Sequence, residues 1–300
     1  MRKTVLTLAL TLLAATGGRA QLLYRITGED LKEPSYIVGT YHLAPGSFAD
    51  SIPGLAKALA SCRQIYGELD MRDLTTSPEK RAAMESFQML PEGVTLSSLL
   101  DKEQMERLNA LMRETMGVDL SNPAMAPVDK MTPAAVSTTL TLVAYMKKMP
   151  DINPMDLLDA HLQTLAAKQG LEVRGFETVE FQSKALYGTP TERQVDELMC
   201  LVDNFEEAVE MAEFVTAAYF SQDLNMLLEL DLEEKEGPCP NDPEQTETVL
   251  YGRNMDWVKQ MPAIMEEAPT FFAVGAAHLC GERGVLHLLE ENGYKVEGVR

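Results

Sequence analysis

FFAVGAAHLCG, residues 271–281, is an apolar run closed by glycine, and it repeats YIVGTYHL, residues 36–43, from the other end of the chain. Both read as two apolar residues followed by Val-Gly-x-x-His-Leu. A short apolar run of this kind is a buried strand, and the glycine that ends it lets the backbone bend, which sets the histidine at the strand's carboxyl end. Open α/β sheets bind their ligands at that edge. His42 and His278 are two of only four histidines. As plain structure they would be buried strand ends bonded to backbone carbonyls. As chemistry they are a pair of imidazoles drawn from the two termini to one edge of a sheet.

The 300 residues, 45% of them hydrophobic, suffice for a full core, and the expectation is a single domain over residues 21–300. A formal charge of −20 repels phosphate backbones and anionic lipid, which argues against nucleic-acid binding. Residues 1–20 have a basic start at Arg2 and Lys3, an apolar run over residues 5–15 and a small-residue exit at Gly18-Arg19-Ala20. That is the layout of a secretory signal peptide, cleaved before Gln21, and the apolar run is too short to span a bilayer. Loss of Arg2, Lys3 and Arg19 takes the charge from −20 to −23. The mature chain is expected to be soluble and secreted or periplasmic, with no membrane insertion after signal removal. In such an oxidising compartment four cysteines allow three pairings. Their positions suggest two groups, Cys62 with Cys280 near the sheet and Cys200 with Cys239 in a helical region.

Residues 22–27 and 36–39 read as a hairpin, a helix starts at Ser51-Ile52-Pro53, and strand character resumes in QIYGELD, residues 64–70. The C-terminal end repeats that order with FFAVGAAHL, a turn, the helix VLHLLEEN and the strand YKVEGV. The expected fold is therefore α/β (α+β): a mixed central sheet built from two similar strand-GxxH-helix-strand units, flanked by helices. A large helical insertion is expected at about residues 85–150 and a further helical region at about 191–267, the latter broken by an acidic loop over residues 231–244. A further strand, LEVRGFE, ends at Glu177. The 18 methionines, many at helical core spacing, read as gap-filling core or as a pliable apolar groove for an extended substrate.

Two neutral imidazoles with one or two carboxylates hold zinc, manganese, cobalt or iron and leave coordination positions open. The carboxylates at the ends of apolar strands are Glu68, Asp70 and Glu177, and Glu68 and Asp70, two apart, would face the same side. A charge there is costly unless it is paired or holds a cation. Each is thus either a structural salt bridge or a working group, as a metal ligand or as a base for a metal-activated water. Arg253, in VLYGRNMDWVKQ, is a candidate oxyanion stabiliser or carboxylate partner. His161 and His287 lie on amphipathic helices and read as packing or surface residues. HExxH, GxSxG and the P-loop are absent, so a hydrolytic mechanism would have to use this scattered set.

Taken in order, YIVGTYH, SIPGLAKALASCRQIYGELD, LPEGVTLSSLL, LLDAHLQTLAAKQGLEVRGFETVEFQ, YGRNMDW and FFAVGAAHLCGERGVLHLLEENGYKV resemble the TraB/GumN family, which includes the TIKI metalloproteases. The resemblance spans nearly the whole mature chain. It implies a sheet core similar to that of the erythromycin esterase and ChaN group, and metal-dependent hydrolysis by His42, His278 and Glu68, with Glu177 and Arg253-Asn254 lining the site. The function expected is a secreted metal-dependent hydrolase, a peptidase acting on a peptide or protein. A divalent ion (Mn, Co or Zn) would be held by His42, His278 and Glu68, with Glu68, Arg253 and Glu177 as the catalytic set. The alternative, from another class, is a non-catalytic protein of the same fold whose histidines bind a metal or haem.

Overall fold

Strands β1 (Leu23–Thr27), β2 (Ser35–Thr40), β3 (Gln64–Gly67), β4 (Glu172–Gly175), β5 (Thr270–Gly275) and β6 (Lys295–Gly298) form one mixed sheet in the order β4-β3-β5-β2-β1-β6. The computed structural model describes residues 21–148, 153, 156–235, 237–240 and 242–300, and the leader expected at residues 1–20 lies outside them. β1 and β2 make the expected antiparallel hairpin, β4, β3, β5 and β2 run parallel, and β6 pairs antiparallel with β1. β5 sits inside the parallel part and is buried almost throughout. A strand covered on both faces needs apolar side chains on both, which is why Phe271 to Val274 is an unbroken apolar run.

The principal helices are α1 (Leu55–Ala60), α2 (Lys102–Met116), α3 (Pro133–Lys148), α4 (Leu158–Lys168), α5 (Val179–Tyr187), α6 (Thr191–Asp203), α7 (Phe205–Phe220), α8 (Leu224–Lys235), α9 (Gly252–Glu267) and α10 (Val285–Glu291). Side chains alternate along a strand, so Ile65 and Gly67 face one side with Phe271 and Ala273, while Tyr66 and Phe272 face the other. α4 packs across β3, β4 and β5 on the Gly67 side, where the Gln163 amide lies in the space a Cβ would need. α9 covers the opposite face. Its Trp257 stacks on Phe176, which stacks on Phe272, at ring-centroid distances of 5.4 and 5.5 Å.

The two Val-Gly-x-x-His segments lie side by side in β2 and β5, but their register is offset. Gly39 stands opposite Val274, and Thr40 opposite Gly275. Because the side-chain period of a strand is two, a one-residue offset turns equivalent positions to opposite faces of the sheet. The two histidines therefore leave the sheet edge in different surroundings.

Away from the sheet, α2 and α3, within the insertion expected at about 85–150, pack with α6, from the helical region expected at about 191–267, around a second apolar cluster that includes Leu108, Met112, Val136, Leu140 and Leu198. Two boundaries differ from expectation. The helix expected from Ser51 begins at Leu55, because Ile52 before Pro53 is extended and Gly54 takes φ +77° at the helix entry. The acidic loop expected from Asp231 is shorter, since α8 runs on to Lys235. Its Asp-Leu-Glu-Glu-Lys tail holds no helix breaker, and the first arrives with Gly237-Pro238. Among the described residues no helix is long and apolar enough to cross a membrane.

Cys200 and Cys239 form a disulfide. The other suggested pairing, Cys62 with Cys280, is not made. β3 and β5 are parallel neighbours, and Cys62 leads into the start of β3 whereas Cys280 follows the end of β5, so a strand's length separates them. At ~3.3 Å per residue that exceeds the Cα separation of about 7 Å beyond which no disulfide closes. Peptide mapping without reductant should recover Cys200 linked to Cys239, and Cys200→Ser should lower the unfolding free energy in urea by about 2–4 kcal/mol. Recovery of a Cys62–Cys280 peptide would contradict this topology.

Candidate active site

At the carboxyl edge of the parallel strands the chain leaves β3 at Gly67 and places Glu68 between the two helical layers. Glu68 Oε2 accepts from Arg253 Nη2 at 2.7 Å and Gln182 Nε2 at 2.9 Å, and Oε1 accepts the Gly275 N–H at 2.9 Å. Arg253 is 4% exposed and sits in the first turn of α9, just after a π-helical turn over Glu247–Tyr251. Its guanidinium spends all five N–H donors. Nε and Nη2 fork onto the two oxygens of Glu177 at 2.8 and 3.0 Å, and Nη2 also reaches Glu68. Nη1 donates to Val249 O at 2.9 Å and lies 3.3 Å from His278 Nε2. Glu177 takes a further bond from the Trp257 indole at 2.7 Å.

Burial opposes the ionisation of Glu68, yet the charges of His278, Arg253 and His42 and the Gly275 N–H outweigh it, holding the carboxyl down at about 2. Burial pushes Glu177 up and the Arg253 fork pulls against it. The three N–H donors on its oxygens call for the ionised form. Burial also works against the charge on Arg253, but Glu177 and Glu68 raise its pKa on balance. The buried group therefore holds two carboxylates and one guanidinium, an excess of one negative charge.

His278, in the short turn Ala276–Leu279, is buried under Trp257 with ring centroids 4.4 Å apart. Asn254 Nδ2 donates to Arg283 O at 2.9 Å, which leaves Asn254 Oδ1 to accept from His278 Nδ1 at 2.6 Å. The Nδ1–H tautomer follows, with the Nε2 lone pair turned toward Arg253 and, at 3.8 Å, Glu68 Oε1. Burial depresses the ring to about 4, so it is neutral at neutral pH.

His42 lies on the α4 side. Its Nδ1 is 3.1 Å from Asp159 Oδ2, while Asp159 Oδ1 accepts from Thr40 Oγ1 at 2.6 Å. The charge and hydrogen bond of Asp159 raise the imidazole to about 9, although solvent reaches 69% of the side chain and screens that attraction. His42, Glu68, Asp159, Met71 and Gln163 line one cleft of about 270 Å³. His278 stands behind it, near enough that its charge and that of His42 act on each other and on Glu68.

The structure thus gathers His42, Glu68, Glu177, Arg253 and His278 from distant parts of the chain. Arg253 and Glu177, expected in the catalytic set, are sealed behind Glu68 and have no donor or face left for a substrate. Arg253 bridges Glu177 to Glu68. Asp70 does not share the site, because β3 ends at Gly67 and the turned chain pairs Asp70 with Arg72 at the surface. His161 bonds Asp156 at the start of α4, and His287 lies 3.6 Å from Glu291 on α10. Asp159 was not read from the sequence. Its only signal was an acidic residue in the first turn of a helix, in the stretch LLDAHLQ.

Among the described residues no group of three or more His, Cys, Asp or Glu stands arranged to hold a metal ion. The donor chemistry nonetheless fits a divalent ion. His278 has Nδ1 anchored to a side-chain oxygen and Nε2 left as the lone pair, the arrangement that metal-ligating histidines show, and His42 is anchored in the same way by Asp159 but carries its Nε2 proton until a cation displaces it. Glu68 is ionised beside them, and the buried charge is one short of neutral.

Two tests follow from the electrostatics. A histidine whose folded pKa is depressed from 6.5 to about 4 stabilises the fold above pH 6.5 and loses that contribution as pH falls through about 4. Glu68, held at about 2 against 4.5, adds a loss of the same sign below pH 4.5. Trp257 is the only tryptophan. Its emission should titrate with a midpoint near 4, and His278→Gln should abolish that step. Arg253→Met, which leaves two buried carboxylates unpaired, should cost about 3–5 kcal/mol in urea unfolding.

No solved structure gives a significant match to this chain. Metalloprotease TIKI2 of Danio rerio is 24% identical over 88% of this chain and 58% of its own length. Metalloprotease TIKI1 of Homo sapiens is 26% identical over 88% and 59%. The metalloprotease TIKI homolog of Nematostella vectensis is 23% identical over 89% and 65%. The chain spans about three-fifths of the length of these relatives. The family match runs over residues 22–298, from the first strand of the sheet to the last, and through it the chain belongs to the TraB/PrgY/gumN family.

Proposed function

We propose that the protein is a metal-dependent hydrolase, a peptidase acting on a peptide or protein, and that His42 Nε2, His278 Nε2 and a Glu68 oxygen would hold its divalent ion (Mn, Co or Zn). The observation that carries this reading is the pair of Nδ1-anchored imidazoles, one from each end of the chain, flanking an ionised carboxylate at an open cleft. The TIKI relatives, named metalloproteases, support it. Bound there, the ion would supply a Lewis acid for the scissile carbonyl and for water.

The chain's own residues do the rest. Arg253 and Gln182 hold Glu68 Oε2, and the Gly275 N–H holds Oε1, so the carboxylate meets a substrate without reorganising. A carboxyl held near 2 is a weak base, so Glu68 contributes chiefly a fixed negative charge and a hydrogen-bond acceptor, with proton uptake only in passing. Asp159, braced by Thr40, orients the His42 ring over the cleft. Haem binding by the same histidines is disfavoured, because a cleft of about 270 Å³ falls below the ~300–1,000 Å³ of sites that enclose even drug-sized molecules.

Secretion is part of the proposal, resting on the leader-like residues 1–20 and in keeping with the Cys200–Cys239 disulfide. In a fluorogenic peptide-library assay with each metal in turn, His42→Ala should lower kcat/KM by about a hundredfold or more. Because the ring is exposed, the melting temperature should stay within a degree or two. A His42→Ala enzyme as active as the parent, or a parent that binds none of the three metals by elemental analysis, would sink the hydrolase reading.

A further inference from the structure

The walls of the cleft that holds His42 and Glu68 are mainly apolar. Leu69 and Met71 follow Glu68 out of β3, Leu157 and Ala160 stand at the entry to α4, and Ala273 lies on β5. Small residues make the room: Gly67 and Ala273 face α4 from adjacent strands, and Ala160 is three residues from Gln163 on that helix. At about 30 Å³ per water the space of about 270 Å³ takes roughly nine waters, the scale of one amino-acid residue.

The other polar side chains in these walls are already engaged. Gln163 Oε1 accepts the Met71 N–H at 2.8 Å and Gln163 Nε2 donates to Leu69 O at 2.7 Å, while the two oxygens of Asp159 take Thr40 and His42. A polar side chain entering here would give up its water and gain no new partner from Gln163, a net loss for a group that needs one. An acidic side chain would meet Glu68 and Asp159, because among the described residues no lysine or arginine lines the cleft. A basic one would have to lay its charge against Leu69, Met71, Leu157 and Ala273. Met71, half-buried and unbranched, is the pliable part of the wall, able to follow apolar side chains of different shape.

We propose that this cleft selects an uncharged, apolar side chain of leucine or methionine size beside the bond to be cleaved, and that Met71 is its specificity-determining residue. The inference rests on the hydrolase reading for the cleavage and adds to it the class of peptide accepted. Leucine and asparagine have nearly the same shape, so the cleft separates them by polarity alone.

The test is NMR of the full mature chain without metal, following the methyl groups of Met71, Leu157 and Ala160 during titration with N-acetyl-leucine amide, N-acetyl-asparagine amide and N-acetyl-lysine amide. The leucine probe should give saturable shifts, and the other two should bind about tenfold more weakly or worse. Met71→Asp should weaken the leucine probe about tenfold and turn the preference toward lysine, while Met71→Leu should keep the parent's order, both at an unchanged melting temperature. Should Met71→Asp not fold, Ala160→Phe fills the cleft from a half-buried position and should abolish the shifts. Absence of saturable shifts, or asparagine or lysine bound as tightly as leucine by the parent, overturns the proposal. The two readings fail separately. If no peptide is cleaved with any metal while the leucine probe still moves the methyls, the reaction falls and the apolar pocket stands. If peptides are cleaved with no preference for an apolar residue beside the cut and the methyls do not move, the pocket falls and the reaction stands.

Discussion

The guanidinium of Arg253 is shared between Glu68 and Glu177, and the candidate site takes its form from that sharing. Two carboxylates at the ends of buried strands would repel one another and would each lose their hydration, a cost of several kcal/mol per ion. One planar cation with five donors offsets both, because its fork grips Glu177 through two bonds and still has a donor for Glu68. The remaining two donors go to Val249 O and toward His278 Nε2, which ties the α9 backbone and the imidazole to the same centre. A lysine, with three donors on a flexible stem, could not satisfy this set.

Around that centre the sheet supplies the placement. β3 delivers Glu68, β5 delivers the Gly275 N–H and the turn bearing His278, and β2 delivers Thr40 and His42. Close approach is what the glycines allow: a Cβ on Gly175 would run into the backbone of Leu69 and Asp70, at 2.6–2.9 Å, where the chain turns away after Glu68. The site accordingly spans the edge of the sheet, with Asp159 and His42 toward α4, Arg253 and His278 toward α9, and Glu68 between.

The same arrangement frames the relation to metal. Arg253 already lies against the Glu68 and His278 atoms proposed as metal donors, while the cluster keeps one negative charge in excess. The His42 imidazole, raised to about 9 by Asp159, stands beside that excess charge and acts on Glu68, while the guanidinium is bound twice to Glu177.

Much was legible in the chain itself. The apolar runs closed by glycine marked β2 and β5, the hairpin before them followed from alternation and turn residues, and His42, Glu68, Glu177, Arg253 and His278 were singled out by residue type and position at strand or helix ends. These are local properties: propensity, periodicity and the cost of burying an unpaired charge act over a few residues and can be read from a few residues. What only the tertiary structure decided was mutual placement. The one-residue offset between β2 and β5, which makes one histidine solvent-facing and the other buried, belongs to strand pairing across more than two hundred residues of chain. So does the meeting of Asp159 with His42, the retreat of Asp70 to the surface, and the separation of Cys62 from Cys280 by the length of parallel strands. No local pattern carries these, because register, hydrogen-bond partner and burial are set by which distant segments share the same core.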